Sequence, residues 1–289
     1  MKHIRAYIEL LKPRILTMQF ISVSLGYLMA GGQTFPGFPT WGIAIIGTAL
    51  VSGGAAAWNH AIEWRQDALM ERTHNRPIPS GLISPLAGVI YGTTLCASGI
   101  AILALFVNPL CSFLAMLTAL LYVVVYTPLK KLTWLNTFVG AIPGAIPPLG
   151  GWAAATGNLS IGAWSLFLIL FIWQLPHFFA IAWMYKDDYA KAGFKMLSVE
   201  DPTGRRTVFQ ILVFTVILII VSLWPVSLGL LHRVYALGAL IGGLLFLKTG
   251  VTFAKTRSRQ EARQVLKGSV YYLPALFLLM AIDAFLFIH

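Results

Sequence analysis

The chain has 289 residues, of which 58% are hydrophobic and only 11% are charged. A soluble globular domain carries roughly 25% charged residues, so this composition excludes a soluble fold of this length, and the mean hydropathy of +0.78 agrees. The net charge of +11 would suit nucleic acid, but the basic residues lie in short blocks between apolar runs. We interpret these blocks as cytoplasmic loops beside anionic lipid and expect no nucleic-acid partner.

Apolar runs long enough to cross a bilayer follow one another along the chain. No Asp, Glu, Lys or Arg occurs in residues 15–62, 77–129 or 132–185. Each of these stretches has room for two spans of ~20 residues and a hairpin, and the first hairpin is predicted at Gly31-Gly32 with Pro36 and Gly37. We therefore predict an all-α polytopic membrane protein. Its nine transmembrane helices in one bundle are 15–32, 41–62, 84–105, 110–126, 134–152, 161–184, 208–225, 231–253 and 269–288.

The basic residues predict which side of the membrane each loop faces. With the N-terminus in the cytoplasm, 20 of the 21 Lys and Arg residues belong to the inner side, and only Arg233 lies outside. This bias indicates nine spans with a cytoplasmic N-terminus. The basic first 14 residues look like the head of a signal peptide, but no small-residue cleavage site or Arg- and Ser-rich transit sequence is seen. We expect a multi-pass protein of the bacterial inner membrane.

The two long inner loops, after the second and sixth predicted helices, both carry acidic residues. They lie four helices apart, which suggests two related halves formed by helices 1–4 and 5–8. We expect a single membrane domain over residues 1–289 that contains this pseudo-repeat. Its polar chemistry is expected at the cytoplasmic face.

The first acidic cluster begins inside the second predicted helix. Asn59, Glu63 and Asp67 are spaced four residues apart, so on a helix they share one face. Two carboxylates one turn apart repel each other unless a cation lies between them, and such oxygen ligands suit Mg²⁺ bound to substrate phosphates. Arg72 and Arg76 follow, and each can clamp phosphate oxygens. A charged interface loop is the alternative, but acids that emerge from an apolar helix favour the metal site.

A second acidic pair, Asp187 and Asp188, follows the sixth predicted helix. Because adjacent residues on a helix point in different directions, we expect only one of them, preferably Asp188, to coordinate a cation. Two acidic clusters on one membrane face would hold two cations across a diphosphate. An ionic interface without a metal is the alternative for this segment.

Four more polar residues lie within helices or at their ends. Lys130, at the inner end of helix four, is suited to hold a phosphate leaving group, or it simply marks the inner side. His60 and His177 are candidates to bind iron or a substrate, unless a neighbouring backbone carbonyl satisfies each ring. Asp283, near the outer end of helix nine, is interpreted as interfacial or paired with a neighbouring helix.

Most of the chain resembles the UbiA superfamily of intramembrane prenyltransferases. The most specific element is Asn-x₃-Glu-x₃-Asp followed by Met-x-Arg-Thr-x-x-Arg-Pro. Here it reads Asn59, Glu63, Asp67, Met70, Arg72, Thr73, Arg76 and Pro77. Quinone-type relatives typically carry Asp at the position of Glu63. Further matches are Leu11 to Arg14, Tyr126-Thr127 with Lys130, Pro143 to Trp152, Trp173-Gln174 with Pro176 to Phe178, and Asp188-Tyr189 with Ala192-Gly193.

The resemblance, which is greatest to the members that modify heme, implies a definite reaction. A vinyl group of heme b would attack the farnesyl cation released from farnesyl diphosphate, and water would complete heme O for terminal oxidases. A downstream heme-modifying enzyme or terminal oxidase assembly would be a partner. Mg²⁺ would be held by Glu63, Asp67, Asp188 and, as the alternative at the second motif, Asp187, with Asn59 beside it. The residues implied to bind the diphosphate are Arg72, Arg76, Tyr126, Lys130 and Lys191.

One departure and two rival functions remain. The second motif of the superfamily is often Asp-x₃-Asp, whereas this chain has Lys191 and Ala192 at that spacing, so the ligands of a second metal stay open. A prenyltransferase of the same fold acting on a quinone precursor such as 4-hydroxybenzoate is disfavoured by Glu63. A transporter is disfavoured because the acids cluster at one face rather than near the midplane.

Overall fold

The computed structural model describes residues 2–31 and 38–287, and the described part of the chain is helical without strands. The helices are α1 (Lys2–Leu10), α2 (Pro13–Met29), α3 (Phe38–Asp67), α4 (Pro85–Phe106), α5 (Pro109–Leu120), a π-helical segment (Leu121–Tyr126), α6 (Thr127–Leu129), α7 (Asn136–Ala145), α8 (Pro147–Thr156), α9 (Ile161–Met184), α10 (Lys186–Lys191), α11 (Leu197–Glu200), α12 (Arg205–Ser222), α13 (Trp224–Ser227), α14 (Arg233–Thr256) and α15 (Arg259–Phe287). The prediction of an all-α membrane fold is confirmed at this level.

Seven segments of the described chain are long and apolar enough to cross a membrane. They are Pro39–Asp67, Pro85–Phe106, Pro109–Leu129, Ile161–Met184, Arg205–Ser227, Arg233–Thr256 and Arg259–Leu286. The other two predicted spans correspond to α2, which has 17 residues, and to α7 with α8. The nine-span count therefore stays a prediction. Part of the first predicted hairpin, from Gly32 to Gly37, lies outside the described residues.

Proline accounts for the interrupted span. The sequence predicted one helix over 134–152, but α7 ends at Ala145 and α8 begins at Pro147. Pro147 and Pro148 have no backbone N–H to continue the hydrogen bonds of α7, so a new helix starts there. Helices α2 and α8 are in close contact beside this break. A Cβ at Gly26 on α2 would collide with the carbonyl oxygen of Pro148 on α8.

Two helices are longer at their inner ends than the sequence predicted. Helix α3 runs to Asp67 rather than to residue 62, so all three residues of the first acidic motif lie on one continuous helix. Helix α15 begins at Arg259 rather than at residue 269. Both extensions carry charged residues beyond the apolar stretch, which a prediction based on hydropathy leaves out.

Asp283 is a structural residue of the bundle. Its side chain is fully buried, and its carboxylate accepts hydrogen bonds from the backbone amides of His232 and Tyr235 at 2.9 and 3.2 Å. It also lies 2.9 Å from the ring of His232. Asp283 on α15 thus caps the start of α14, and its prediction as a residue paired with a neighbouring helix is confirmed.

Candidate active site

The inner end of α3 brings the first acidic motif together. Asn59, Glu63 and Asp67 are only 2%, 5% and 1% exposed, and the Asn59 amide donates a 2.8 Å hydrogen bond to Glu63 Oε2. Burying two carboxylates one turn apart is costly unless cations neutralise them. The two cations that do so come from other segments of the chain.

Each carboxylate is paired with its own cation. Lys130, just after α6, places Nζ 2.8 Å from both carboxylate oxygens of Glu63. Arg76, in the loop after α3, donates from Nη1 to both oxygens of Asp67 at 2.9 and 2.8 Å. Thr73 fixes the start of this loop by donating to the carbonyl oxygen of Asp67. Two of the predicted diphosphate ligands, Lys130 and Arg76, therefore contact two of the four predicted metal ligands, Glu63 and Asp67.

Lys12 is a member of this site that was predicted only as part of the Leu11 to Arg14 match. Its Nζ lies 2.8 Å from Asn59 Oδ1 and 3.2 Å from the Tyr122 hydroxyl. Its backbone φ is +52°, which is uncommon for a residue other than glycine and often marks a functional site. Burial, together with the charges of Arg76 and Lys130, lowers the pKa of Lys12 to about 7. An anion bound in the site would offset the repulsion from Arg76 and Lys130 and favour the charged form of Lys12.

Irregular helix geometry aims two tyrosines at the same cluster. The π-helical segment carries Tyr122 and Tyr126, whose rings stack with centroids 5.5 Å apart. Lys130 Nζ lies 4.6 Å from the centre of the Tyr126 ring, an attractive cation–π distance. Single π-helical turns occur often at functional sites, and this one follows the apolar part of α5.

An apolar cavity opens beside the charged cluster. Its volume is about 220 Å³, and Lys12, Tyr122 and Tyr126 line the end that meets the polar residues. Residues of α2, α3, α7 and α9, most of them small or apolar, line the remainder; they include Ile15, Leu16, Ala55, Ala56, Gly140, Gly144, Phe178 and the polar Gln174. A molecule with an anionic head and an apolar tail fits this combination.

A second, polar cavity of about 490 Å³ lies near the second acidic motif. Six charged side chains line it, three of each sign: Glu71, Asp187, Asp188, Arg72, Lys191 and Arg259. Within the described chain, no ion pair within 4.0 Å joins any of the six. The guanidinium carbons of Arg72 and Arg259 instead lie 5.1 and 5.7 Å from the centre of the Tyr185 ring. Glu71 and Arg259 were not predicted as site residues.

The segment after α9 links the two acidic motifs. The Lys195 amide donates to the Lys130 carbonyl oxygen at 2.7 Å, and the Phe194 ring centre lies 5.6 Å from Lys130 Nζ. On the other side, Asp188 Oδ1 lies 3.4 Å from the Glu71 amide. The segment from Asp188 to Lys195 thus reaches from the polar cavity to the buried ion pair.

The two candidate heme-binding histidines have different surroundings. His60 is 2% exposed, and in the described structure neither of its ring nitrogens has a hydrogen-bond partner. The expected backbone carbonyl partner is therefore absent for His60. His177 is half-buried, and its Nδ1 lies 2.8 Å from the Ser269 hydroxyl.

The chemistry of the donors fits Mg²⁺. Among the described residues, no three His, Cys, Asp or Glu side chains are close enough to form a metal site by themselves. Mg²⁺ seldom needs that many protein ligands, because it commonly binds one or two carboxylates and completes its shell with water and substrate phosphates. Glu63 and Asp67, buried and one turn apart on α3, meet that requirement.

Buried acid–base pairs beside an apolar cavity, inside a bundle of membrane-spanning helices, define an intramembrane enzyme for amphiphilic anions. The UbiA prenyltransferase family matches residues 20–280, and the chain belongs to this family. It is a prenyltransferase.

The chain is similar in sequence to protoheme IX farnesyltransferases over almost their whole length. The chain is 44% identical to a protoheme IX farnesyltransferase from Solibacter usitatus (strain Ellin6076), with 96% of this chain and 98% of that protein covered. It is 42% identical to a protoheme IX farnesyltransferase from Salinibacter ruber (strain DSM 13855 / M31), with 97% and 99% covered.

Solved structures share the fold. A structure of digeranylgeranylglyceryl phosphate synthase superposes with a TM-score of 0.82 at 19% identity, covering 98% of this chain and 99% of the other. A UbiA homolog from Archaeoglobus fulgidus bound to GPP and Mg²⁺ gives a TM-score of 0.68 at 14% identity, covering 96% and 99%. Identities this low support the shared fold alone.

Proposed function

We propose that this enzyme transfers the farnesyl group of farnesyl diphosphate to a vinyl group of heme b, giving heme O and diphosphate. The observation that carries the proposal is a charged cluster beside an apolar cavity. In this cluster Lys130 pairs with Glu63, Arg76 pairs with Asp67, and Lys12 contacts Asn59. The similarity to protoheme IX farnesyltransferases over almost the whole chain favours heme as the acceptor.

The buried cluster suits an anion because it has an excess of positive charge. Lys130 pairs with Glu63 and Arg76 pairs with Asp67, each at 2.8 Å. Lys12 adds a third cation, which contacts Asn59 at 2.8 Å and Tyr122 at 3.2 Å. A diphosphate would take over hydrogen bonds that Arg76 and Lys130 now give to the carboxylates. The cations would then lie where negative charge grows as the allylic C–O bond breaks, which is the most effective use of a preorganised charge.

The carboxylates released in this way would hold Mg²⁺. Glu63 and Asp67 are the first pair of ligands, with Asn59 beside them, and Asp188 is preferred over Asp187 at the second motif. When bound, the metal ion supplies charge stabilisation to the leaving diphosphate. The Archaeoglobus fulgidus homolog, which shares this fold, binds GPP together with Mg²⁺, and this supports a divalent metal as the partner of the diphosphate.

The polar cavity offers further contacts to the diphosphate. Arg72 and Lys191 face it without an ion-pair partner in the described chain, and Arg259 extends the set. The apolar cavity would hold the isoprenoid tail, with Tyr126 at its polar end. Its hydrophobic walls would keep water from quenching the farnesyl cation before the vinyl group attacks; water then adds to complete the hydroxyethylfarnesyl group.

We also propose the arrangement of the chain in the membrane. Nine crossings with a cytoplasmic N-terminus, formed by the seven long apolar helices, α2 and the α7–α8 pair, would place the site at the inner face of a bacterial membrane. Farnesyl diphosphate and heme b are both amphiphilic and would reach the site from the lipid. The product would pass to a heme-modifying enzyme or to terminal oxidase assembly.

The experiment that tests the function uses the full chain in lipid nanodiscs. Incubation with heme b, farnesyl diphosphate and Mg²⁺ should give farnesylated heme, detected by mass spectrometry, and a chelator should abolish it. Replacing heme b by 4-hydroxybenzoate should give no prenylated product. Prenylation of 4-hydroxybenzoate without any heme product would establish the quinone-type alternative instead.

A further inference from the structure

His177 on α9 and Ser269 on α15 form a hydrogen-bonded pair that the proposed diphosphate chemistry does not use. Ser269 is fully buried, and its hydroxyl oxygen lies 2.8 Å from His177 Nδ1 and 2.7 Å from the carbonyl oxygen of Leu266. Trp173, one turn before His177, donates from its indole N–H to the Ser269 carbonyl oxygen at 2.8 Å. Two side chains of α9 are thus fixed on one residue of α15.

The short contacts determine which nitrogen of His177 carries the proton. A hydroxyl has one proton, and the 2.7 Å approach of the Ser269 oxygen to the Leu266 carbonyl oxygen is attractive only if that proton lies between them. The Ser269 oxygen must then accept from His177, so Nδ1 carries the hydrogen. The neutral ring consequently has a free lone pair on Nε2.

That lone pair is available to a ligand. Within the described chain His177 Nε2 has no hydrogen-bond partner. Both ring nitrogens of His60 are enclosed and unpartnered, whereas His177 Nε2 is not enclosed in this way. The Trp173 ring stacks on His177 with centroids 4.9 Å apart and Phe178 packs edge-on at 5.5 Å, so the imidazole is held in place. Phe178 also lines the apolar cavity.

We infer that His177 Nε2 is the axial ligand of the iron of the heme acceptor, and that Ser269 is a positioning residue which fixes its tautomer. A histidine that binds a metal usually donates its other N–H to a hydrogen-bond acceptor, and heme iron commonly takes a neutral imidazole. The inference deepens the proposed function and depends on heme being the acceptor. It assigns the iron to His177 and not to His60.

The test measures iron coordination rather than turnover. The full chain in nanodiscs is loaded with heme b, reduced, and recorded by resonance Raman spectroscopy. The wild type should show an iron–histidine stretching band, His177→Ala should lack it, and added imidazole should restore it. His60→Ala and the exposed-loop control His74→Ala should keep it.

A second variant and a metal-free probe separate coordination from misfolding. Ser269→Ala should move the band to lower frequency and weaken heme binding by about 10-fold, the usual loss when such a partner is removed. Binding of metal-free protoporphyrin IX, followed by its fluorescence, should be the same in the wild type and His177→Ala.

A wild type without the band, a band that persists in His177→Ala, or one lost only in His60→Ala would overturn the inference. Each sample is also assayed for farnesylated heme. If the wild type forms that product while His177→Ala keeps the band, the axial assignment fails and the proposed function stands. If the wild type forms none with Mg²⁺ and both substrates present, the proposed function itself fails.

Discussion

Lys130 and Glu63 form a buried ion pair in which the ammonium nitrogen lies 2.8 Å from each carboxylate oxygen. Both residues are less than a tenth exposed. Such a pair is expensive to bury and seldom adds stability compared with apolar residues. We propose that the pair serves substrate binding instead, because Lys130 would turn to the diphosphate and Glu63 to Mg²⁺ when the substrate binds.

Breaking this pair from the cationic side should affect both stability and turnover. Lys130→Ala leaves the Glu63 carboxylate buried and uncompensated, which costs on the order of 3–5 kcal/mol. Loss of a cation aimed at the leaving group should lower kcat by roughly 10²–10³-fold. Thermal unfolding in detergent and initial rates of heme farnesylation measure the two effects, with the exposed neighbour variant Lys131→Ala as control.

A double variant separates the two roles of the pair. Lys130→Met combined with Glu63→Gln removes both charges, so the unfolding temperature should return toward that of the wild type. Turnover should stay lost, because neither the metal ligand nor the cation is restored. Recovery of activity together with stability would mean that the pair is only structural.

Lys12 should contribute to diphosphate binding although it lies 47 residues before Asn59. Lys12→Ala removes one of the three cations of the site, and the KM for farnesyl diphosphate should rise by roughly 10-fold or more, since a charge-assisted hydrogen bond contributes about 1.5–3 kcal/mol. The exposed variant Lys2→Ala should leave KM unchanged. Equal KM values for the Lys12 variant and the wild type would remove Lys12 from the site.

Arg259 should bind an anion in the polar cavity. Inorganic diphosphate, used as an inhibitor of farnesyl transfer, should inhibit Arg259→Ala several-fold more weakly than the wild type, because one guanidinium that lines the cavity is gone. Arg263→Ala changes an exposed arginine one turn further along α15 and serves as the matched control. Identical inhibition constants in all three proteins would contradict the assignment.

Asp201 should stabilise the start of α12 in a pH-dependent way. Burial alone would raise the pKa of Asp201, but hydrogen bonds from Thr207 and Thr203 outweigh it and hold this pKa below its ordinary value. Stability from a carboxylate with a lowered pKa is fully present above about pH 4 and is lost as the pH falls through the folded-state pKa.

Asp201→Asn should therefore lower the free energy of unfolding by about 1–3 kcal/mol at pH 7, and this difference should shrink at the acid end. Denaturant unfolding in detergent at pH 7 and near pH 3 measures it. Glu200→Gln, an exposed change next to it, should show no comparable effect. A deficit of the same size at both pH values would mean that the ionised form is not what stabilises the helix.

The sequence made the first acidic motif predictable, together with Arg76 and Lys130, but not the contact with Lys12 or the role of Arg259. Four-residue spacing alone places Asn59, Glu63 and Asp67 on one helical face, whatever surrounds them. The contact of Lys12 with Asn59 and the place of Arg259 in the polar cavity depend on how distant helices pack. No local sequence pattern predicts such contacts. The positive φ of Lys12 is likewise visible only in the structure.

The limits of the fold prediction have similar causes. Apolar runs and charge gaps indicate most long helices, because hydropathy decides what enters a bilayer. The pair Pro147-Pro148 could have predicted the helix break. The apolar run around it favoured one continuous span instead. The π-helical turn at Tyr122 and Tyr126 has no sequence signature of this kind, since it depends on a local rearrangement of hydrogen bonds.

The central claim is that Glu63 and Asp67 exchange their cationic partners for a divalent metal when the diphosphate binds. A structure of the full chain with Mn²⁺ and a non-hydrolysable farnesyl diphosphate analogue tests this most directly. Metal density bonded to both carboxylates, with Lys130 and Arg76 turned to the phosphate oxygens, is the predicted result. A bound analogue with the Lys130–Glu63 and Arg76–Asp67 pairs intact, and no metal at either carboxylate, would contradict it.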